Sequence, residues 1–296
     1  MKEVVVCSGK GGTGKTSLTA AFAALARGKV LADCDVDAAD LHLVLAPERR
    51  RSEPFSGGRE AVIDPDRCEG CGSCRDVCEF GAISEEDDGR GGSIFKVDPF
   101  ACEGCGVCVH FCPSDAIEYP PVIAGEWYVS DTRHGPMVHA RLRPGAENSG
   151  KLVTLVREEA RKLADARDAG LLLVDGPPGI GCPVTAAITG SDLVVAVTEP
   201  GVSGLHDLER LLDLAAHFRI PVAVCINKSD INPDFTARIE SECARRDLPV
   251  VGTIPFDPAF TRAQLRGLSV VEDETSPAAA AVDGIWRETL SIISKL

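Results

Sequence analysis

Apolar and polar positions along this chain follow two different rhythms, and the change between them divides it. From Glu3 to Ser8 a short β-branched run reads as a buried strand, and a glycine-rich stretch leads from it into helical periodicity over 15–27. The strand pattern returns from Val30 to Asp33, followed by an acidic loop and a short apolar stretch over 41–45. The same alternation resumes late in the chain, with helices over 151–169 and 203–218 and strands at 171–175, 192–198, 221–227 and 249–254. Short apolar strands alternating with helices predict an α/β fold, a mostly parallel sheet covered by helices on both faces.

Between these stretches the rhythm is lost. Residues 46–60 read as a linker, and residues 61–118 hold a cysteine-rich internal repeat. The expected division is 1–58 and 121–296 as the two parts of one α/β domain, with 59–120 inserted as a second. The segment 127–151 brings His134 and His139 close to Arg133, Arg141 and Arg143, which reads either as a contact for the acidic insert or as a structural loop.

Composition sharpens this division. The chain has 296 residues, enough for one large α/β core and a small module, and its 29 glycines gather in a few loops, as backbone-lined binding sites require. The net charge is -14, and within 59–118 there are 14 acidic residues against 5 basic ones. That balance argues against nucleic acid as a partner; it suits a partner with a basic patch, or simply a solvated face. No leader pattern and no apolar run of about 20 residues is evident, so the expected location is cytoplasmic. The last helix, with Ile285, Leu290, Ile292 and Ile293, lacks the basic face of a membrane-surface helix, so no membrane partner is expected. Thirteen cysteines in a reducing compartment point to metal binding rather than disulfides.

The glycine-rich stretch carries the first chemistry. Gly9, Gly14, Lys15 and Thr16 satisfy G-x-x-x-x-G-K-[ST] between a strand and a helix. Gly9, Gly11, Gly12, Thr13, Gly14, Lys15, Thr16 and Ser17 are therefore expected around a nucleoside triphosphate, where glycines let backbone N–H groups converge on phosphate oxygens. Lys15 would neutralise the β/γ-phosphates and Thr16 bind Mg²⁺. Asp175, at the end of the apolar run 171–175, is the expected second Mg²⁺ ligand, and Gly176-Pro177-Pro178-Gly179 the expected γ-phosphate sensor. Asp33 and Asp35 end the second strand; one of them would orient the attacking water, unless both are ordinary loop acids.

The insert carries the second. Residues 68–83 and 102–117 repeat at an offset of 34, each with C-x₂-C-x₂-C-x₃-C. That spacing wraps three thiolates around one 4Fe-4S cluster and sends the fourth to the other. Cys68, Cys71, Cys74 and Cys112 are thus expected to share one cluster, and Cys102, Cys105, Cys108 and Cys78 the other. Zinc is the alternative occupant of C-x₂-C pairs. Glu79 stands where the motif expects the proline present at Pro113, which touches local geometry and potential only.

Lys10 ahead of GGTGKT, followed in order by DCDVDAADLHL and DGPPG, resembles the deviant Walker A ATPases of the MinD, ParA, Mrp and nitrogenase iron-protein group. The likeness covers the chain outside the insert, and the whole resembles MinD-superfamily ATPases containing an inserted bacterial ferredoxin-like α+β module. It implies that Lys10 reaches across a homodimer formed in the ATP state to the partner's nucleotide. It implies also that Asp35 is the catalytic carboxylate, that Asn227 reads the base, and that the Pro255-Phe256-Asp257 segment packs on adenine. Asn227-Lys228-Ser229-Asp230 fits the NKxD signature of GTPases as well, so the sequence leaves GTP open beside the preferred ATP. Cys182 lies seven residues beyond Asp175, where the nitrogenase iron protein places an intersubunit ligand; a buried cysteine at a helix start is the preferred reading. The expected function is an ATPase whose dimer closure gates electron transfer from the clusters to a redox partner. The alternative is an assembly or maturation factor acting on an apo-protein acceptor, and a ParA-like positioning protein stands third.

Overall fold

The computed structural model describes residues 1–87, 89, 91–144, 149–272 and 276–296. Along the chain, β1 (Lys2–Ser8), α1 (Lys15–Leu25), β2 (Lys29–Asp33), α2 (Leu41–Leu45) and β3 (Glu48–Arg59) come first. The cysteine-rich stretch follows as β4 (Val62–Ile63), α3 (Ser73–Asp76), β5 (Ile83–Asp87), β6 (Ser93–Val97), α4 (Val107–His110) and β7 (Ile117–Glu118). Then come β8 (Pro121–Thr132), β9 (Gly135–Leu142), α5 (Ser149–Ala166), β10 (Leu171–Pro178), α6 (Cys182–Ile188), β11 (Leu193–Thr198) and α7 (Val202–His217). β12 (Val222–Asn227), α8 (Pro233–Arg245), β13 (Val250–Ile254), α9 (Ala259–Leu265), a 3₁₀ turn (Val270–Glu272) and α10 (Pro277–Ile293) complete it.

Nine strands form one sheet in the order β13-β12-β11-β1-β10-β2-β9-β8-β3. Every pair from β13 through to β9 is parallel. The central strands are continuous runs of Val, Leu, Ile and Ala because both faces are covered: β1, β11 and β12 are buried nearly throughout. On one face Phe22 of α1 meets Trp286 of α10 with ring centroids 4.8 Å apart, within a core that also takes in Leu18, Leu31, Leu173 and Val195. The α/β expectation of a mostly parallel sheet flanked by helices therefore holds.

Two expectations need correction. The presumed linker 46–60 is largely β3, an edge strand. Its first half, ERRRSE, is polar on both faces and shows no apolar alternation. It is held by Arg49 stacked over Tyr128 at 4.2 Å, Arg51 over Trp127 at 5.0 Å and Arg50 bonded to Asp131 at 2.8 Å. The segment 127–151 is no loop either: its described part is mostly β8 and β9, joined by a two-residue turn, while residues 145–148 lie outside the described residues. His139 is buried in the sheet with Nε2 2.9 Å from Ser130 Oγ, and Arg133 and His134 engage Glu272, not the acidic insert.

The chain divides into two compact units, the second comprising Pro54–Gly125 and Arg143–Asn148. These limits differ from 59–120 because β3 and β8 carry the chain across the boundary as strands. The second unit contains two small antiparallel ladders, β4 with β7 and β5 with β6, and the one-turn helices α3 and α4. Its apolar interior is small: Ala61, Ile83, Phe95 and Ile117 pack with Cys74 and Cys108, and the remaining repeat cysteines except Cys71 and Cys105 flank them. Gly72 and Gly106 occupy the same place in the two repeats, each at φ 76° before its helix, a conformation that glycine adopts without strain.

Candidate functional site

In the first unit, three strand ends converge. Val6 of β1 is in register with Asp175 of β10, and Asp175 with Asp33 of β2, so the loop leaving β1 emerges beside both carboxylates. Gly14 closes that loop at φ 91°, and a Cβ there would collide with the Asn227 amide. The first turn of α1 has no side-chain cap, leaving its N–H groups directed outward, the arrangement that receives phosphate.

Lys15 is buried at the centre of the acids. Its Nζ lies 3.1 Å from Asp175 Oδ1, 3.2 Å from Asp35 Oδ2 and 3.1 Å from Thr16 Oγ1. Thr16 donates to Asp175 Oδ2 at 2.8 Å and Thr19 to Asp175 Oδ1 at 2.8 Å, so the fully buried Asp175 accepts three bonds from one helix. Burial alone would lower the Lys15 pKa, but Asp175, Asp35 and Asp33 outweigh it and hold the ammonium charged. Burial raises Asp33 well above the carboxylate range, with Asp175 adding to it, and raises Asp35 more moderately against the pull of Lys15.

Lys10 is held by Glu199 and by Ser203 Oγ at 2.9 Å. The other oxygen of Glu199 takes Lys228 at 2.9 Å, and Lys228 also donates to the Gly12 carbonyl. Burial would raise the Glu199 carboxyl, yet the bonds from Lys10 and Lys228 keep it below its ordinary value. Asn227 braces the loop, its Nδ2 donating to the Thr13 carbonyl at 2.7 Å while its own oxygen accepts from the Lys228 N–H.

A broad cleft opens above these groups. Residues 11–17, Ser8, Pro178 and Asp35 line its floor, Asp40, Leu43 and Val44 one wall, and Thr261, Gln264 and Leu265 the other. Pro255 and Asp257, expected at the base, do not line it. Asp257 accepts from the Ala259 N–H at 2.8 Å and from Ser276 Oγ at 2.8 Å, fastening the start of α9. Sequence reasoning missed Thr19, legible as one turn beyond Lys15 and Thr16, and missed Gln264, which donates to Ser17 Oγ at 2.8 Å.

In the second unit the eight repeat cysteines line two cavities. One is lined by Cys68, Cys71, Cys74 and Cys112, the other by Cys78, Cys102, Cys105 and Cys108. Backbone N–H groups point at matching sulfurs, Ala82 to Cys78 at 3.4 Å and Ala116 to Cys112 at 3.3 Å. Burial pushes the Cys74 thiol up to about 11, whereas the Ser73 hydroxyl and N–H draw exposed Cys71 downward. Among the described residues no three His, Cys, Asp or Glu side chains gather tightly enough to hold a single ion. Of the other cysteines, Cys7, Cys34, Cys225 and Cys243 are buried, with Cys7 pushed up to about 12 by burial. Cys182, expected to be buried, is exposed as the first residue of α6, between Gly181 and Pro183. No helix among the described residues is long and apolar enough to cross a membrane.

Residues 4–270 match the family model for the CobQ/CobB/MinD/ParA nucleotide binding domain. An uncharacterized protein of Methanocaldococcus jannaschii is 34% identical over 78% of this chain and 79% of its own length. A cytosolic Fe-S cluster assembly factor, the Nubp1 homolog of Drosophila grimshawi, is 30% identical over 38% of this chain and 43% of that protein. Among solved structures, the MinD cell division protein of Aquifex aeolicus superposes with a TM-score of 0.56 at 22% identity, covering 98% of this chain and 97% of that one. The septum site-determining protein MinD of Pyrococcus horikoshii, complexed with Mg-ADP, gives 0.58 at 17% identity over 100% and 99%.

Proposed function

The chain belongs to the CobQ/CobB/MinD/ParA nucleotide-binding family and is a P-loop ATPase, and from that premise we propose that it is an ATP-driven dimeric switch whose inserted ferredoxin-like unit holds two 4Fe-4S clusters and passes electrons to a redox partner. The observation that carries this reading is the division of eight cysteines into two cavities of four, each with three from one repeat and one from the other. A tetrahedral single-ion site calls for four adjacent thiols, whereas a cubane is wrapped from outside by thiols facing a shared space.

The residues fit the groups that the reading requires. Thr13 Oγ1 and Asp33 Oδ2 are buried without a hydrogen-bond partner, as befits atoms completed by a ligand or its hydration. Mg²⁺, when bound, neutralises phosphate charge; Thr16 and Asp175 would hold it. Lys15 then exchanges its carboxylate partners for the β- and γ-phosphates, the N–H groups of 11–16 cradle the chain of phosphates, and Asp35 orients water. Lys10, released from Glu199 and Ser203, is free to engage the nucleotide of a second copy. The 4Fe-4S clusters, when bound, supply one-electron chemistry.

The Nubp1 likeness favours a second reading, delivery of clusters to apo-proteins. The small unit argues for residency: its cysteines are a large part of its core, so release of a cluster would remove the interior that holds it together. The test is anaerobic purification followed by EPR and by transfer to an apo-ferredoxin, with and without ATP. Cluster signals that survive repeated redox cycling and respond to ATP support electron transfer. Transfer of iron and sulfide to the apo-protein supports assembly, and absence of both iron and sulfide ends either reading.

A further inference from the structure

One wall of the cleft is tied to the 3₁₀ turn that follows the other by a residue that lines neither. Arg133 sits in the turn between β8 and β9, and its guanidinium makes three bonds. Nε and Nη2 chelate Glu272 at 2.9 and 2.8 Å, and Nη1 donates to the Val44 carbonyl at 2.8 Å. Val44 lies in the last turn of α2, where carbonyls lack intrahelical partners and a cation is favoured. Glu272 ends the 3₁₀ turn that follows α9 and also accepts from the Ser269 N–H at 2.7 Å. Burial would raise its carboxyl, but Arg133 and Ser269 hold it down to about 2, so the ion pair persists across working pH.

We propose that Arg133 is a positioning residue for the nucleotide cleft, setting the separation between the α2 wall, with Leu43 and Val44, and the α9 wall, with Thr261, Gln264 and Leu265. The proposal rests on the cleft being the nucleotide site. Two features make the contact more than a surface ion pair. Three bonds to a planar fork fix both distance and angle, which a single-point contact does not. In addition, Val44 itself lines the cleft beside Leu43, so its displacement alters the wall that a bound nucleotide would meet. Arg133 also lies one residue beyond β8, the strand on which the chain returns from the cysteine-rich unit.

The test measures binding of a fluorescent ATP analogue with Mg²⁺, together with KM and kcat for ATP, on the full chain. Arg133→Gln is expected to raise both the dissociation constant and KM about 10-fold, with kcat changed by less than about 2-fold. Arg133→Lys, which keeps the charge but loses the planar fork that chelates Glu272, is expected to raise them about 3-fold, and it carries the test if the Gln variant does not fold. Arg50→Gln breaks an ion pair of the same strand group away from the cleft and is expected to change neither. Unchanged binding in both Arg133 variants, an equal loss in Arg50→Gln, or an effect confined to kcat would overturn the proposal. Failure of the unaltered protein to bind the analogue would overturn the nucleotide reading itself, and the proposal with it.

Discussion

Cys78 and Cys112, the fourth cysteines of their repeats, have exchanged cavities: each lines the one formed by the first three cysteines of the other repeat. The exchange ties the halves of the small unit together, because neither cavity is completed by residues from one repeat alone. Matching N–H contacts from Ala82 and Ala116 place the two sulfurs equivalently. The difference between the repeats lies one residue further on, where Glu79 faces solvent and its counterpart is Pro113.

Under the proposed reading, this crossing would make the two clusters separable by mutation. Cys112→Ser should damage the cluster of Cys68, Cys71 and Cys74, and Cys78→Ser that of Cys102, Cys105 and Cys108. Iron should fall in each case from about eight toward about four atoms per chain. Iron and sulfide determination, with EPR of each variant, checks it. Loss of the cluster within the mutated residue's own repeat would show that the cavities are not the binding sites.

How much of this was legible beforehand follows from distance along the chain. The phosphate loop and the cysteine spacings are local, with partners a few residues apart, and could be read directly. Leu43, Thr261, Gln264 and Arg133 have no such signature, since the sheet order brings residues from positions 43 to 265 to one cleft. β3 lacks a sequence signature for a different reason. A strand normally announces itself by alternation, and ERRRSE is stabilised by Tyr128, Trp127 and Asp131 of another strand. Asp257, expected in the segment that packs on adenine, accepts from the Ala259 N–H at the start of α9, a contact with no signature in the sequence.

Lys15 neutralises a site holding Asp33, Asp35 and Asp175. Lys15→Ala is expected to abolish ATP hydrolysis, by at least about 100-fold, while leaving the iron content unchanged because the cysteine cavities are formed within the other unit. Parallel phosphate-release and iron assays check it. Iron lost together with hydrolysis would contradict the separation of the two units.

Asp230 is the residue on which a guanine preference would depend. Its Oδ1 accepts from the Phe256 N–H at 2.6 Å, and it does not line the cleft. Asp230→Ala should therefore leave ATP turnover within about 3-fold and create no change in the ATP-to-GTP ratio, since no base contact is removed. Competition assays with both nucleotides decide. A selective collapse of GTP use in the variant would assign Asp230 to the base.

His139 should give the first unit an acid-sensitive stability. It is 5% exposed, and burial, helped by the positive charges of Arg49 and His42, lowers its pKa to about 4. The unfolded chain accepts a proton near pH 6.5, the native state only near 4, so this contribution is full above 6.5 and is lost as pH falls through that window. Its ceiling is on the order of 3 kcal/mol. His139→Gln keeps a polar atom for Ser130 and cannot take up a proton, so the difference between parent and variant should shrink or change sign between pH 7 and about 4.5. Urea unfolding followed by the fluorescence of Trp127 and Trp286, the chain's 2 tryptophans, reads both proteins. Parallel pH profiles would mean that His139 is protonated without cost and that its burial does not govern its titration.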